Sequence, residues 1–236
     1  MQSLKEFADR WKPTERCCKE INESFKALTD ADPDLKALRD YVEQHAYGMG
    51  ERSFYHMWKL ICAELPDNAR MLEIGVHRGQ VLALWRTLKP SKHTDIIGLS
   101  PFDGNEMGDR RDYKVDVQHL HRLFKLKQPG LLTGYSEEQG CMVAAAEIGP
   151  FDVLYIDGGH SYETTRSDII NYSPLVRSGG FLVIDDCACS LPHPWGYFAG
   201  ITSVCKAVDK LLPPATDNAE WRHLGAVMHN RIWQKL

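Results

Sequence analysis

The chain has 236 residues, with 28 Lys and Arg against 32 Asp and Glu, a formal net charge of −4. Hydrophobic residues at 43% and charged residues at 25% suffice to bury a core, which excludes global disorder. The absence of a basic run argues against nucleic acid or an anionic membrane as a partner. The stretch MQSLKEFADRWKPTERCC has scattered charges and no apolar h-region, so no secretory leader is expected, and no 18-residue apolar run marks a membrane span. Seven cysteines, an odd number in a chain of this length, predict reduced thiols and a cytoplasmic setting. Cys17-Cys18 and Cys187-Ala-Cys189 lack the spacer of a zinc knuckle.

Residues 1–67 read as a helical extension. Leu4, Phe7, Ala8 and Trp11 recur at helical spacing, as do Ile21, Phe25 and Leu28 after Pro13. A third helix runs through Leu35, Leu38, Tyr41 and Val42, and a fourth from Ser53 to Leu65 with Phe54, Trp58 and Ile61 on one side. Two roles are open for these helices: packing on the main domain, or serving as a lid or dimer contact, and their apolar stripes raise the expectation of a homo-oligomer.

From residue 68 to 236 the pattern is α/β. Short apolar runs at 71–75, 95–99, 130–134, 151–157 and 181–186 alternate with helical segments at 80–88, through Val115, Leu120 and Leu123, and at 137–148, 160–176 and 201–212. Gly179-Gly180 reads as the turn into the fifth strand. HLGAVM and RIWQKL about His229-Asn230 form a closing hairpin. The expected architecture is a doubly wound, Rossmann-like, mostly parallel seven-stranded sheet. In such sheets ligands bind beyond the carboxyl ends of the strands.

Glu73-Ile74-Gly75-Val76-His77-Arg78-Gly79 ends the first strand in an E-x-G-x-x-x-G turn. Its glycines allow close backbone approach, but the spacing differs from the G-x-G-x-x-G that seats a pyrophosphate. A dinucleotide is therefore disfavoured, and with it a nicotinamide-dependent oxidoreductase. Glu73 suits an ammonium or sulfonium centre. Asp157 ends the fourth strand and Asp185-Asp186 the fifth, so three carboxylates meet on one rim. Clustered carboxylates repel, and a bound cation is the simplest remedy, with Mg²⁺ first among oxygen-loving ions. The other reading has one aspartate capping a helix and another pairing with Arg or Lys. His160 begins the next helix and can act as a base, touch a cofactor or simply pack.

E-I-G-V-H-R-G, G-L-S-P-F-D-G, Y-I-D-G-G-H-S-Y and S-G-G-F-L-V-I-D-D, in that order, resemble the class I S-adenosylmethionine-dependent methyltransferases. Within them the chain is similar to the metal-dependent O-methyltransferases of the macrocin and cephalosporin-hydroxylase-like type, over residues 68 to 212. The resemblance implies transfer of a methyl group from S-adenosylmethionine to a hydroxyl of a small molecule or glycoside. It makes Glu73, Gly75, His77 and Gly79 the cofactor loop, adds Ser100, Asp103, Ser136 and Asp157 to the cofactor contacts, and makes Asp157, Asp185 and Asp186 the metal ligands. Two positions depart from the family pattern: Ser100 stands where an acid usually binds the ribose, and Gly159 where a second acid often serves as base. His160 is then the first candidate base and His193 the second. The departures also leave room for a catalytically silent binding protein on the same fold. Leu191 to Gly200, with His193, Trp195, Tyr197 and Phe198, either stacks on the acceptor or covers the sheet edge.

Overall fold

The computed structural model describes residues 1–104, 108, 111–212 and 220–236. Residues 105–107 and 109–110 of the polar loop after the second strand lie outside the described residues.

The N-terminal helices form where the sequence places caps. Helix α1 (Leu4–Arg10) starts at Ser3, whose side chain accepts from Glu6 N. Thr14 does the same for α2 (Glu15–Ala31) through Cys17 N. Asp32 caps α3 (Pro33–His45), accepting from Asp34 N and Leu35 N, with Pro33 in the first turn. Helix α4 (Arg52–Ala63) is buried along most of its length.

The strands β1 (Arg70–Ile74), β2 (Asp95–Ser100), β3 (Gly130–Thr133), β4 (Phe151–Ile156), β5 (Val176–Ile184), β6 (Trp221–Val227) and β7 (Asn230–Lys235) form one sheet in the order β3-β2-β1-β4-β5-β7-β6. The first five are parallel, and β7 runs antiparallel to both neighbours. Between them lie α5 (Gln80–Leu88), α6 (Tyr113–Leu123), α7 (Gln139–Ile148), α8 (Tyr162–Tyr172) and α9 (Thr202–Leu211). The expected α/β class, doubly wound and seven-stranded, is what the chain adopts.

Register divides the core in two. Glu73, Tyr155 and Val183 lie abreast on β1, β4 and β5. Side chains alternate along strands, so Met71, Val153, Tyr155, Phe181 and Val183 face one way, and Leu72, Leu154, Ile156, Leu182 and Ile184 face the other. The first set joins a core with Phe25, Leu38, Phe54 and Trp58 of the N-terminal helices. The second joins a separate core with Cys141, Ile169, Val204 and Val208 of α7, α8 and α9. Helices α2 and α4 thus cover one sheet face, and their apolar stripes are spent inside this chain. Trp58 fixes them: its ring meets Trp85 of α5 at 4.9 Å and Tyr155 of β4 at 5.3 Å, both edge-on.

Three expectations change. Strand β5 begins at Val176, so Gly179-Gly180 is an irregularity inside it, where the pairing with β4 shifts between Phe151 and Val153. Arg177 keeps the early part paired by donating to Asp152 Oδ1 at 2.7 Å. Helix α8 starts later than His160, because Ser161 caps it through Thr164 N, and it gives way to a 3-10 turn at Ser173–Leu175 around Pro174. The thiols are not all reduced: Cys189 and Cys205, with Cα atoms 5.9 Å apart, form a disulfide that ties the 187–200 loop to α9. Sequence separation did not reveal that proximity. Among the described residues no helix is long and apolar enough to cross a membrane.

Because Trp58 joins helix, helix and sheet, Trp58→Ala should destabilise the chain by about 3–5 kcal/mol. Denaturant unfolding followed by circular dichroism should remain one transition; an earlier, separate melting of the N-terminal helices would contradict this packing.

Candidate active site

The parallel ladder runs one step past the strands, with Asp157 N donating to Ile74 O at 2.8 Å and Asp185 N to Ile156 O at 3.0 Å. Gly75, Asp157 and Asp185 therefore stand two residues beyond Glu73, Tyr155 and Val183, on the face that the N-terminal helices cover. Gly75 adopts φ +94°, and a Cβ there would lie 1.9 Å from Asp157 O, so only glycine lets these strand ends meet. Gly79, also at φ +94°, starts α5 against Val117.

Neighbours on a strand point oppositely, yet Asp185 and Asp186 serve one cluster. Asp186 breaks the alternation with a left-handed backbone, φ +53°. Gly200 makes this possible, since a Cβ there would sit 2.2 Å from Asp186 O, and Ile201 N donates to that carbonyl at 2.9 Å. The β6–β7 turn delivers His229 to the same place. Its Nε2 lies 3.1 Å from Asp185 Oδ1 and 3.8 Å from Asp186 Oδ1. His160 Nε2 approaches Asp186 Oδ2 at 3.4 Å, and Tyr155 Oη donates to Asp157 Oδ2 at 3.3 Å.

The charges are far from their solution behaviour. Burial, reinforced by Asp185 and Glu73, holds the Asp157 carboxyl well above its usual range. Burial and Asp185 do the same to Glu73, and its Oε2 has no hydrogen-bond partner among the described residues. Asp186 is pushed up to about 6, by burial first and then by Asp185. Burial opposes the charge of His229, but Asp185, Glu51 and Asp186 outweigh it and raise that ring to about 9. Asp185 moves the other way: burial would raise it, and His229 holds it below the ordinary carboxylate range. Crowded, largely buried carboxylates rich in free lone pairs at the wall of a cavity fit a divalent cation.

A cavity of about 400 Å³ opens here, lined by Glu73, Asp157, His160, Asp185, Asp186 and His229. A cleft of about 120 Å³ shares Gly75, His77, Asp157 and His160 with it and carries Ser100 and Asp103. A third, of about 130 Å³, shares Gly75 and Ser100 with the second and ends at Ser136. The expected cofactor residues thus lie along one rim, except Gly79, which lines none of the three clefts and packs on Val117 at the start of α5. His193 lines none of these clefts; its Nδ1 sits 2.9 Å from Leu191 O. Of the loop aromatics, Phe198 reaches the large cavity, whereas Trp195 is 99% exposed.

Two residues escaped the sequence reading. His229 looked like a hairpin tip, but a hairpin whose strand β7 pairs antiparallel with β5 must turn at the carboxyl rim, and that was the available signal. Glu51 gave none: it precedes α4, and its Oε1 lies 3.7 Å from His229 Nδ1.

Strand order, reversed β7, the glycine turn after β1 and acids after β4 and β5 define a methyltransferase-type Rossmann-like fold. Residues 72–187 match the family model described as a methyltransferase domain. The chain is 28% identical over 167 residues to demethylmacrocin O-methyltransferase of Streptomyces fradiae, covering 67% of this chain but only 37% of that enzyme's length. Among solved structures it resembles the MycE methyltransferase of mycinamycin biosynthesis, captured with Mg, S-adenosylhomocysteine and mycinamycin VI (TM-score 0.57, 22% identity, 86% of this chain and 55% of that one). It also resembles the S-adenosylhomocysteine-bound methyltransferase PaMTH1 of Podospora anserina (TM-score 0.61, 15% identity, 92% and 96%). At such identities the structures speak for the fold. The resemblance to S-adenosylmethionine-dependent O-methyltransferases is borne out.

Asp168 of α8 lies behind this rim; a Cβ on Gly158 would be 3.2 Å from its Oδ2. Burial raises its pKa from 3.8 to about 7. The unfolded chain therefore loses this proton near pH 4 and the folded chain near pH 7, so stability falls as pH rises through that window and the loss persists above it. Asp168→Asn should relieve up to roughly 4 kcal/mol at pH 8 and almost nothing at pH 4. Thermal unfolding at both values checks this; equal stability of the two proteins at pH 8 would contradict it.

Proposed function

We propose that the chain transfers a methyl group from S-adenosylmethionine to a hydroxyl of a small molecule or glycoside, with a divalent ion assisting. One observation carries this reading: the buried acids at the ends of β4 and β5 adjoin a cleft whose other walls are the glycine turn, Ser100, Asp103 and Ser136. The names of its curated relatives support the acceptor class, since they methylate glycosylated natural products.

In this reading Glu73 and the Gly75 turn receive the amino acid end of the cofactor, and Ser100 and Asp103 the ribose hydroxyls. Ser136 stands at the adenine end. Asp157, Asp185 and Asp186 would hold the ion, and oxygen donors alone favour Mg²⁺. When bound, the ion supplies Lewis acidity that lowers the pKa of the acceptor hydroxyl. His160 is the base: its Nε2 faces the cavity beside Asp186 and takes the hydroxyl proton. The acceptor oxygen forms its bond to the methyl carbon while the carbon–sulfur bond breaks, its electron pair remaining on sulfur. Orientation of the two reactants supplies much of the rate. The 47–51 segment and Phe198 close the acceptor side, which makes the N-terminal helices a fixed wall of the site.

Calorimetry with S-adenosylhomocysteine and with NAD should give heat for the former alone. Asp185→Asn should lower methyl transfer to a deoxysugar-bearing acceptor by at least about 100-fold while leaving S-adenosylhomocysteine affinity nearly unchanged. Full activity of EDTA-treated protein without added metal would overturn the metal step, and heat with NAD alone would overturn the whole reading.

A further inference from the structure

His229 is built into the acid cluster more firmly than a chance neighbour would be. Its side chain is 7% exposed. Phe198 meets the ring edge-on at 5.0 Å, and the backbone carbonyl of His229 accepts from Cys187 N at 3.0 Å, locking the hairpin turn to the chain just past Asp186. The two ring nitrogens face different carboxylates: Nε2 looks toward Asp185 and Asp186, and Nδ1 toward Glu51. One ligand atom from each of Asp185, Asp186 and His229 lies within 4.8 Å of the others.

A plain ion pair between His229 and Asp185 accounts for the charges but not for the bonding. Asp185 Oδ1 is buried without a well-formed hydrogen bond among the described residues, although His229 Nε2 stands 3.1 Å from it. Buried polar atoms are ordinarily satisfied, and groups that converge without a well-aligned hydrogen bond between them suit a shared central atom. The outward carboxylate completes the pattern, because a metal-bound imidazole commonly presents its second nitrogen to an acid that orients the ring and raises its basicity.

We propose that His229 ligates the divalent ion through Nε2 in place of Asp157, whose carboxyl lies outside the group of converging ligand atoms, joining Asp185 and Asp186 in a set of two carboxylates and one imidazole, with Glu51 as the positioning residue behind Nδ1. This rests on the metal-assisted reading of the site and alters its ion preference. Mg²⁺ takes oxygen donors and dehydrates reluctantly, whereas an imidazole nitrogen favours first-row transition ions. The site is therefore selective for Mn²⁺ or Co²⁺ over Mg²⁺. It also requires the N-terminal helices, since Glu51 enters from the start of α4.

The test uses the full chain, stripped with EDTA and titrated with Mn²⁺. Electron spin-echo envelope modulation of the bound ion should show ¹⁴N coupling from a directly ligated imidazole. That coupling should persist in His77→Gln and His160→Gln, the other cavity histidines, and vanish in His229→Gln. Calorimetry should show Mn²⁺ binding weakened about 10- to 100-fold in His229→Gln and about 10-fold in Glu51→Gln, with wild-type protein preferring Mn²⁺ to Mg²⁺. If His229→Gln does not fold, coupling that survives the other two substitutions still assigns it to His229. Mn²⁺ bound without ¹⁴N coupling would overturn the proposal and leave a carboxylate-held ion, so the metal-assisted reading would stand. Coupling lost in His160→Gln would move the ligand to that residue and overturn the proposal. No Mn²⁺ binding at all would remove both.

Discussion

Mutual repulsion among Glu73, Asp157, Asp185 and Asp186, held together with little water, is the constraint around which the rest of the site is arranged. Parallel strands put the first three on a common side of the sheet by period-two alternation, and the left-handed turn at Asp186 adds the fourth. Each raised carboxyl is a free-energy cost of folding that aliphatic residues at the same positions would avoid. Protonated His229 offsets part of it through Asp185, but Glu73 and Asp157 still sit well above their ordinary range. A bound cation, as proposed above, would relieve the remainder.

The two faces of the sheet divide the remaining work. Helices α7, α8 and α9 close an apolar face that contributes packing and carries Asp168 behind the cofactor rim. The opposite face is built with helices from the N-terminal extension, anchored through Trp58, and there the even run of apolar side chains gives way to Glu73, Asp157 and Asp185 as the strands reach the rim. The extension is thus continuous with the wall of the site. Tyr47, Met49 and Glu51, in the link between α3 and α4, line the large cavity.

Strand ends were legible in the sequence because parallel strands buried on both sides are short apolar runs, and a polar residue that closes such a run is conspicuous. Glu73, Asp157 and Asp185-Asp186 were found that way, and the two glycines of the first turn were legible for the same reason. Residues that arrive from elsewhere in the fold were not. His229 belongs to a hairpin whose role depends on pairing with β5, some fifty residues away along the chain, and Glu51 belongs to a segment with no motif. The disulfide between Cys189 and Cys205 was hidden because helix α9 folds back under the loop, which no spacing rule conveys. Likewise the glycine pair inside β5 imitates a turn, since local sequence does not distinguish a turn from an irregularity flanked by paired strand.

In the proposed function the acids at the ends of β4 and β5 are a cation site next to the methyl donor. Crystals grown with Mn²⁺ and S-adenosylhomocysteine, with data collected to measure anomalous scattering from manganese, address it directly. An anomalous peak should appear bonded to Asp185 and Asp186, with S-adenosylhomocysteine lying along the Gly75 turn beside it. A map with the cofactor product in place and no anomalous density at the acids would contradict it.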